Sequence, residues 1–456
     1  MMTLGPGPRA TGASSMANRM GDSLQRTGTI IWRQRHSLAA LLLRAFGVAA
    51  GFVVTFLIGR WFGPSANGQY AIVTQTAMFL SIIAIGGMDL AIVREFSRTS
   101  NGSHKLALSS FLRSFGTAIT TALAIVVVLM AGGDRLLSLM GRESVPLNAV
   151  NVLCVILLAR TMTRFLAAVL RSQSRFLLAQ AVEVLLIPLG VIAMVIVGWA
   201  RGVPSLLWAT AGAGLLVAAV GLIASLKSVS SDDSALRVPT SRLLATALPL
   251  WGASVAQNLA DWFSLVTVSA VAGLYDAGLY RVAAQFAMVF SLVSSGLFST
   301  YATLISAAYH TGNKAEVARL AGNATKLSAA LTAVPGAIFL IFSKQVMGVV
   351  GVEFEAGATL LRVLVVGQIA IALASPAGLV LALTGHPRVN LTFTAISAGA
   401  MLLLLPAVAH AMGAVGVAVF VSLALVGQNL AAHLCVRRLE GIDALLGRLI
   451  DRPLTA

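Results

Sequence analysis

Twelve times along this chain an apolar run of about 20 residues, enough to cross a hydrocarbon core of about 30 Å, gives way to a short polar break. The runs fall near 37–60, 69–93, 106–131, 146–170, 176–199, 204–226, 243–271, 279–308, 324–350, 357–383, 387–411 and 413–436. An open strand edge cannot satisfy its backbone in lipid, so every run is expected as a helix. Composition agrees: 58% of the 456 residues are hydrophobic and 11% charged, against about 45–50% and 25% in soluble domains. No globular core could hide that much apolar surface. The chain reads as an all-α polytopic membrane protein.

Charge orients the runs. The net charge is +16, from 32 Lys and Arg against 16 Asp and Glu. In a soluble protein that surplus would suggest nucleic acid. Here it reads first as basic cytoplasmic loops, and secondly as an anionic cargo. With both termini inside, about 21 of the cations fall in inner loops and tails and about six in outer segments, Arg281 among the six. The polar residues 1–36 precede a first run too long for a signal-peptide core, with no small-residue cleavage site after it. They are expected as a floppy cytoplasmic tail. Cys154 and Cys435 lie inside apolar runs and offer neither a disulfide framework nor zinc spacing.

Two outer turns share one frame. GPSANGQY runs from Gly63 to Tyr70, and GLYDAGLY runs from Gly273 to Tyr280, an offset of 210. Glycine permits the left-handed backbone of a tight reversal, so Gly63, Gly68, Gly273 and Gly278 are expected to make the turn, with Pro64 in the first. Tyr70 and Tyr280 would then begin the returning helices at headgroup depth, where amphipathic rings anchor. LRSQSR (170–175) and LTGHPR (383–388) form matching inner turns. Six is even, so the two blocks are parallel repeats, an arrangement alternating-access transporters use. The expected organisation is a tail at 1–36, a six-helix lobe at 37–226, a cytoplasmic linker at 227–242, a second lobe at 243–436 and a cytoplasmic tail at 437–456.

The chain has no Walker loop and no HExxH, so no cofactor, metal or ATP hydrolysis is expected, and no enzymatic activity. What remains are polar residues inside the membrane, which are costly and mark function by default. Arg44 and Arg113 lie about seven residues from an inner helix end, within snorkelling reach, and divide between anchor and cavity roles. Arg160 lies about 11 residues deep, some 16 Å, beyond that reach. Arg164, one turn on, is level with Glu183 and is expected to pair with it. Asp261, in QNLADW, is the deep carboxylate of the second block, either a coupling site or a salt bridge to Arg362; Glu183 is the other candidate for coupling. Asp89, in GGMDLAIVR, is expected to pair with Arg44 or Arg94.

These residues carry a family likeness. LLLRAFGVAAGFVVTFLIGRWFGPSANGQYAIVTQTAMFLSIIAIGGMDLAIVREFSR resembles the opening of the polysaccharide flippases of the MOP superfamily, the Wzx-type exporters related to MATE transporters. The shared pattern is Arg44 early in the first helix, the turn with Gly63, Pro64, Gly68 and Tyr70, and Gly87, Asp89 and Arg94 close to the second. Asp261 followed by GLYDAGLYRVAAQF extends it. The resemblance covers residues 37–436, strongly at the start and faintly after about 320. It implies a bacterial inner-membrane transporter turning an undecaprenyl-diphosphate-linked oligosaccharide from the cytoplasmic to the outer leaflet. Its partners would be that lipid-linked cargo, membrane lipids, and a polysaccharide polymerase or co-polymerase, with no nucleic acid. A diphosphate cannot enter hydrocarbon bare, and Arg44, Arg113, Arg160 and Arg164 could replace its water. The lipid II flippase branch usually has 14 spans, and twelve here argue against that role. The alternative is a MATE-like antiporter of small molecules coupled through Asp261 and Glu183, although cation-binding relatives should carry more acids than arginines in the bundle.

Overall fold

A computed structural model describes residues 12–99, 106–140, 149–227, 229–230, 238–374 and 376–450. Nearly all of it is helical, in the order α1 (Gly12–Ile85), α2 (Met88–Thr99), α3 (Leu108–Met140), α4 (Ala149–Ser172), α5 (Phe176–Gln180), a π-helical turn (Ala181–Leu185), α6 (Leu186–Ile196) and α7 (Val203–Leu226). The second half follows with α8 (Thr240–Ala272), α9 (Leu274–His310), α10 (Lys314–Ile341), α11 (Ser343–Gly348), a 3-10 turn (Val352–Gly357), α12 (Ala358–Ala374), α13 (Pro376–Leu383) and α14 (Pro387–Glu440).

Among the described residues nine helical segments are long and apolar enough to cross a membrane. Two of these are bent. Gly63, at φ 78° and ψ −179°, divides α1 into an outgoing and a returning arm, and Gly413, at φ 60° and ψ −153°, does the same in α14. Counting both bends, and adding α8, which is 33 residues long but not among the nine, gives the twelve crossings expected, six in each half. The only strands described are two-residue pairs outside the spans. Leu106–Ala107 (β1) runs parallel to Val229–Ser230 (β2), and Ile442–Asp443 (β3) antiparallel to Arg448–Leu449 (β4).

Local chemistry sets the ends. Pro64 takes the first position of the returning arm, where a missing N–H costs nothing. Gly273, at φ 94° and ψ 174°, repeats the Gly63 conformation between α8 and α9. Gly86 and Gly87, at φ 59° and 75°, break the chain again so that α2 leaves in a new direction. The Asn313 side chain caps α10 by accepting from the Glu316 N–H at 3.0 Å. The inner turns match two residues out of the expected register: Ser174, at φ 59°, answers to Gly385, at 89°, and not to Pro387.

The expected organisation meets this frame at several points. Helix α1 is drawn from Gly12, inside the stretch expected as a floppy tail; residues 1–11 lie outside the described residues, as do 231–237 of the linker and 451–456 of the last segment. Beyond Glu440 the chain is folded: β3 and β4 form a hairpin whose Gly447 stacks on Gly322 of α10. The largest apolar cluster spans both halves, joining Ala71, Ile72 and Leu153 to Leu265, Leu274, Val282 and Leu361.

Candidate functional site

The two halves meet along the returning arm of α1 and helices α8 and α9. At the end expected to face outward the two glycine turns lie back to back. A Cβ on Gly68 would strike the carbonyl oxygen of Leu274, and one on Gly278 would strike that of Pro64. Each clash is the other shifted by 210 residues, so an approximate two-fold axis passes between the turns. At the opposite end a Cβ on Gly87 would come within 2.5 Å of the Ala247 carbonyl oxygen. There the Trp251 indole donates to the Ile82 carbonyl at 3.2 Å, and Glu95 takes Arg242 at 2.5 Å and the Thr246 hydroxyl at 2.8 Å. The lobes touch at both ends, and charge gathers in between.

The helices begin earlier than the apolar runs suggested, and that moves two tyrosines. The returning arm starts at Pro64 and α9 at Leu274, each six residues or about 9 Å before its tyrosine. Tyr70 and Tyr280 therefore sit inside the packing instead of in a headgroup belt. The Tyr70 hydroxyl shares a 2.9 Å hydrogen bond with Thr210 of α7, and Tyr280 is 4% exposed. Arg281, counted from sequence with the outer segments, is in α9 and half-buried. In the amide orientation that satisfies both groups, Gln75 accepts from its two terminal nitrogens at 3.0 and 2.7 Å.

Around Tyr70 each lobe contributes a cation, and the second adds a carboxylate. Arg160 of α4 and Arg281 of α9 both act electrostatically on Tyr70, and Asp261 of α8 acts on Arg281. Asp261 is exposed and Arg160 half-buried. Asp261 faces Arg281, not Arg362, whose Nε donates to Ser343 at 2.7 Å. No ion pair holds Arg160 among the described residues; the nearest acid acting on it is Glu183.

That link leads inward to a cavity of about 420 Å³ lined by Asp89, Arg94, Arg164, Arg171, Glu183 and Leu250. Its pairs differ from those expected. Arg164 Nε donates to Asp89 at 2.8 Å, and Glu183 is taken by Arg171. The break at Gly86–Gly87 explains the first: it starts α2 at Met88 and aims its first turn, with Asp89, at α4. The π-helical turn explains the second, because its extra residue rotates Glu183 relative to a regular helix; such turns recur at functional sites. Arg94 is exposed and carries no acid partner among the described residues.

Arg44 and Arg113 are exposed and pair with no acid among the described residues, and nothing ties them to this cluster. Sequence reasoning missed Arg281, Gln75 and Arg171. The signal for the first two was present, since both follow the repeated turn whose helix starts had been placed too late.

The comparisons with known proteins follow the fold. A family model described as polysaccharide biosynthesis protein matches residues 36–304. No curated protein gives a significant match. Among solved structures, the lipid II flippase MurJ in an inward closed conformation superposes with a TM-score of 0.70 at 15% identity, over 88% of this chain and 87% of that one. An inward-facing multidrug resistance MATE transporter of the MOP superfamily gives 0.67 at 16%, over 88% and 97%. A MOP superfamily transporter from Pyrococcus furiosus, described by the reverse polarity of its binding pocket, gives 0.60 at 15%, over 88% and 94%. Identities this low speak for the fold alone. The family match covers more than half of the sequence, and with that fold it places the chain in the polysaccharide biosynthesis protein family, as a multi-pass membrane protein of MOP architecture.

Proposed function

We propose that the chain moves an undecaprenyl-diphosphate-linked oligosaccharide from the inner to the outer leaflet of a bacterial plasma membrane, serving surface polysaccharide synthesis. Both termini would lie in the cytoplasm. The observation that carries this is Arg160: half-buried between helices, next to Tyr70, with no carboxylate in ion-pair contact among the described residues. A buried cation without its own acid is expensive, and a phosphate is the group that repays it. Arg281 adds a second donor from the opposite lobe, so an anion held between the two would draw the lobes together.

The cavity with Arg94, Arg164 and Arg171 gives the diphosphate a place to shed water before it reaches Arg160. The cycle is alternating access: the inner contact at Gly87 and Glu95 releases to admit cargo, then the outer contact at Gly68 and Gly278 releases to discharge it, while the prenyl tail stays in lipid. A polymerase on the outer side would consume the product.

Arg160→Glu tests this. Export of the glycan should fail while the protein still reaches the membrane, and lipid-linked oligosaccharide should accumulate inside. Undiminished surface glycan from that variant would overturn the proposal. A second reading, a MATE-like cation-coupled antiporter, draws on Asp261, an exposed carboxylate facing a single arginine. A deletion strain that turned drug-sensitive with normal surface glycan would favour it.

A further inference from the structure

The inner end of the second lobe holds a cavity that the cargo route does not use. Its volume is about 610 Å³, and α10, α12, α14 and the β3–β4 hairpin enclose it. Lys326, Arg437, Asp443, Thr325 and His433 line its polar part; Ala329, Leu373, Leu445 and Leu446 line the rest. Lys326 is exposed and pairs with no acid among the described residues. Arg437 is held only loosely, its Nε 3.8 Å from Asp443. The other oxygen of that carboxylate, Oδ1, accepts the Leu445 and Leu446 N–H groups at 3.1 and 3.0 Å, so Asp443 shares its charge between Arg437 and the hairpin backbone. The rim therefore carries one cation in excess, directly above an apolar floor.

Depth decides what such a cleft can take. Lys326 stands 12 residues into α10, after the polar turn KAEVARLAGN, and Arg437 lies in the last turn of α14. Both positions fall at the ends of apolar runs, 324–350 and 413–436, where a leaflet would pass from headgroup to acyl chain. A small soluble anion would use the rim and leave Ala329, Leu373 and Leu446 wet.

We propose that this cavity binds an anionic phospholipid, its phosphate between Lys326 and Arg437 and one acyl chain along Leu373 and Ala329. The hairpin is then one wall of a lipid site, and an occupied site ties α10, α12 and α14 to the end of the chain. The inference stands whatever the cargo is.

The test is lipid binding to the full-length protein in phosphatidylcholine nanodiscs, read by native mass spectrometry as phosphatidylglycerol is added. The wild type should retain phosphatidylglycerol over phosphatidylcholine, and Lys326→Gln should weaken that retention about fivefold, with a similar further loss in the Lys326→Gln/Arg437→Gln double variant. Lys344→Gln, a cation at the opposite end of the lobe, should bind as the wild type does. Lys326 is exposed, so its substitution spares the fold; Lys326→Arg should restore binding. Equal retention by wild type and Lys326→Gln would overturn the proposal. So would inorganic phosphate or glycerol phosphate competing as well as the intact lipid, which would mean a soluble anion site.

Discussion

Gly68 can be used to open the outer contact without touching any charged residue. Its backbone is helical, and it lacks a side chain because the Leu274 carbonyl occupies the space where a Cβ would stand. The partner is main chain, so no rotamer change relieves the clash; the lobes must part locally. Overpacking a close contact costs about 1–3 kcal/mol, and here the cost falls only on states in which the turns touch. The equilibrium should shift toward an open outer face by about 5–150-fold. A closed state holding nine molecules in ten would fall to about 65% at the lower bound and about 6% at the upper. Spin labels at Ser65 and Tyr275, exposed and one residue past Pro64 and Leu274, would report the change. In a background without Cys154 and Cys435, Gly68→Ala should add a longer distance population. Gly278→Ala should do the same, and the double variant should add little more, because both substitutions break one contact. An unchanged distribution, or two fully additive effects, would refute the idea that the paired turns form the outer closure.

Other outcomes follow from the same geometry. Arg164→Ala strands the Asp89 carboxylate, 2% exposed, and should lower stability by about 3–5 kcal/mol in thermal unfolding, with Asp89→Asn in the same chain recovering part of the loss. Arg281→Ala should reduce export with the fold intact, and a melting temperature that dropped instead would make Arg281 structural. Asp261→Asn separates coupling from packing: loss of ion-gradient dependence in a proteoliposome transport assay supports coupling, and transport unchanged in rate and gradient dependence removes it. Ser174→Gly relieves a left-handed residue on an exposed turn and should stabilise the protein by up to about 1 kcal/mol, read from denaturant midpoints.

Number and period were legible in the sequence; pairing was not. Apolar length alone reveals that a segment crosses, and a glycine with positive φ leaves a mark wherever a tight reversal is needed, so the crossings and both turns could be read. Which carboxylate meets which arginine depends on how each helix is rotated about its axis. Level in the membrane, Arg164 and Glu183 looked like partners, yet the π-helical turn swings Glu183 to Arg171, and the glycine pair at 86–87 brings Asp89 to Arg164. Hydropathy likewise places helix starts at the first apolar residue. The real starts lie at Pro64 and Leu274 because the glycine before each, not the composition after it, ends the turn. That error of five residues put Tyr70 and Tyr280 at a surface and left Arg281 outside.

The internal repeat also separates scaffold from chemistry. At an offset of 210, Gly63, Gly68, Tyr70 and Gln75 recur as Gly273, Gly278, Tyr280 and Gln285. These make the turn, the close approach and the first packing of each returning helix, which both lobes require alike. Arg281 stands where the first lobe has Ala71, and Asp261 where it has Gly51. A cargo bound between two lobes meets each of them once, from one side, and has no use for symmetric charge. Charges that break the repeat between the lobes are therefore the ones to test for contact with cargo, and Arg281 and Asp261 are two of them. Restoring symmetry should expose the division: Arg281→Ala with Asp261→Gly would keep both turns and their packing, so the protein should fold and insert while losing transport. A double variant that still transported would show that these charges serve the scaffold after all.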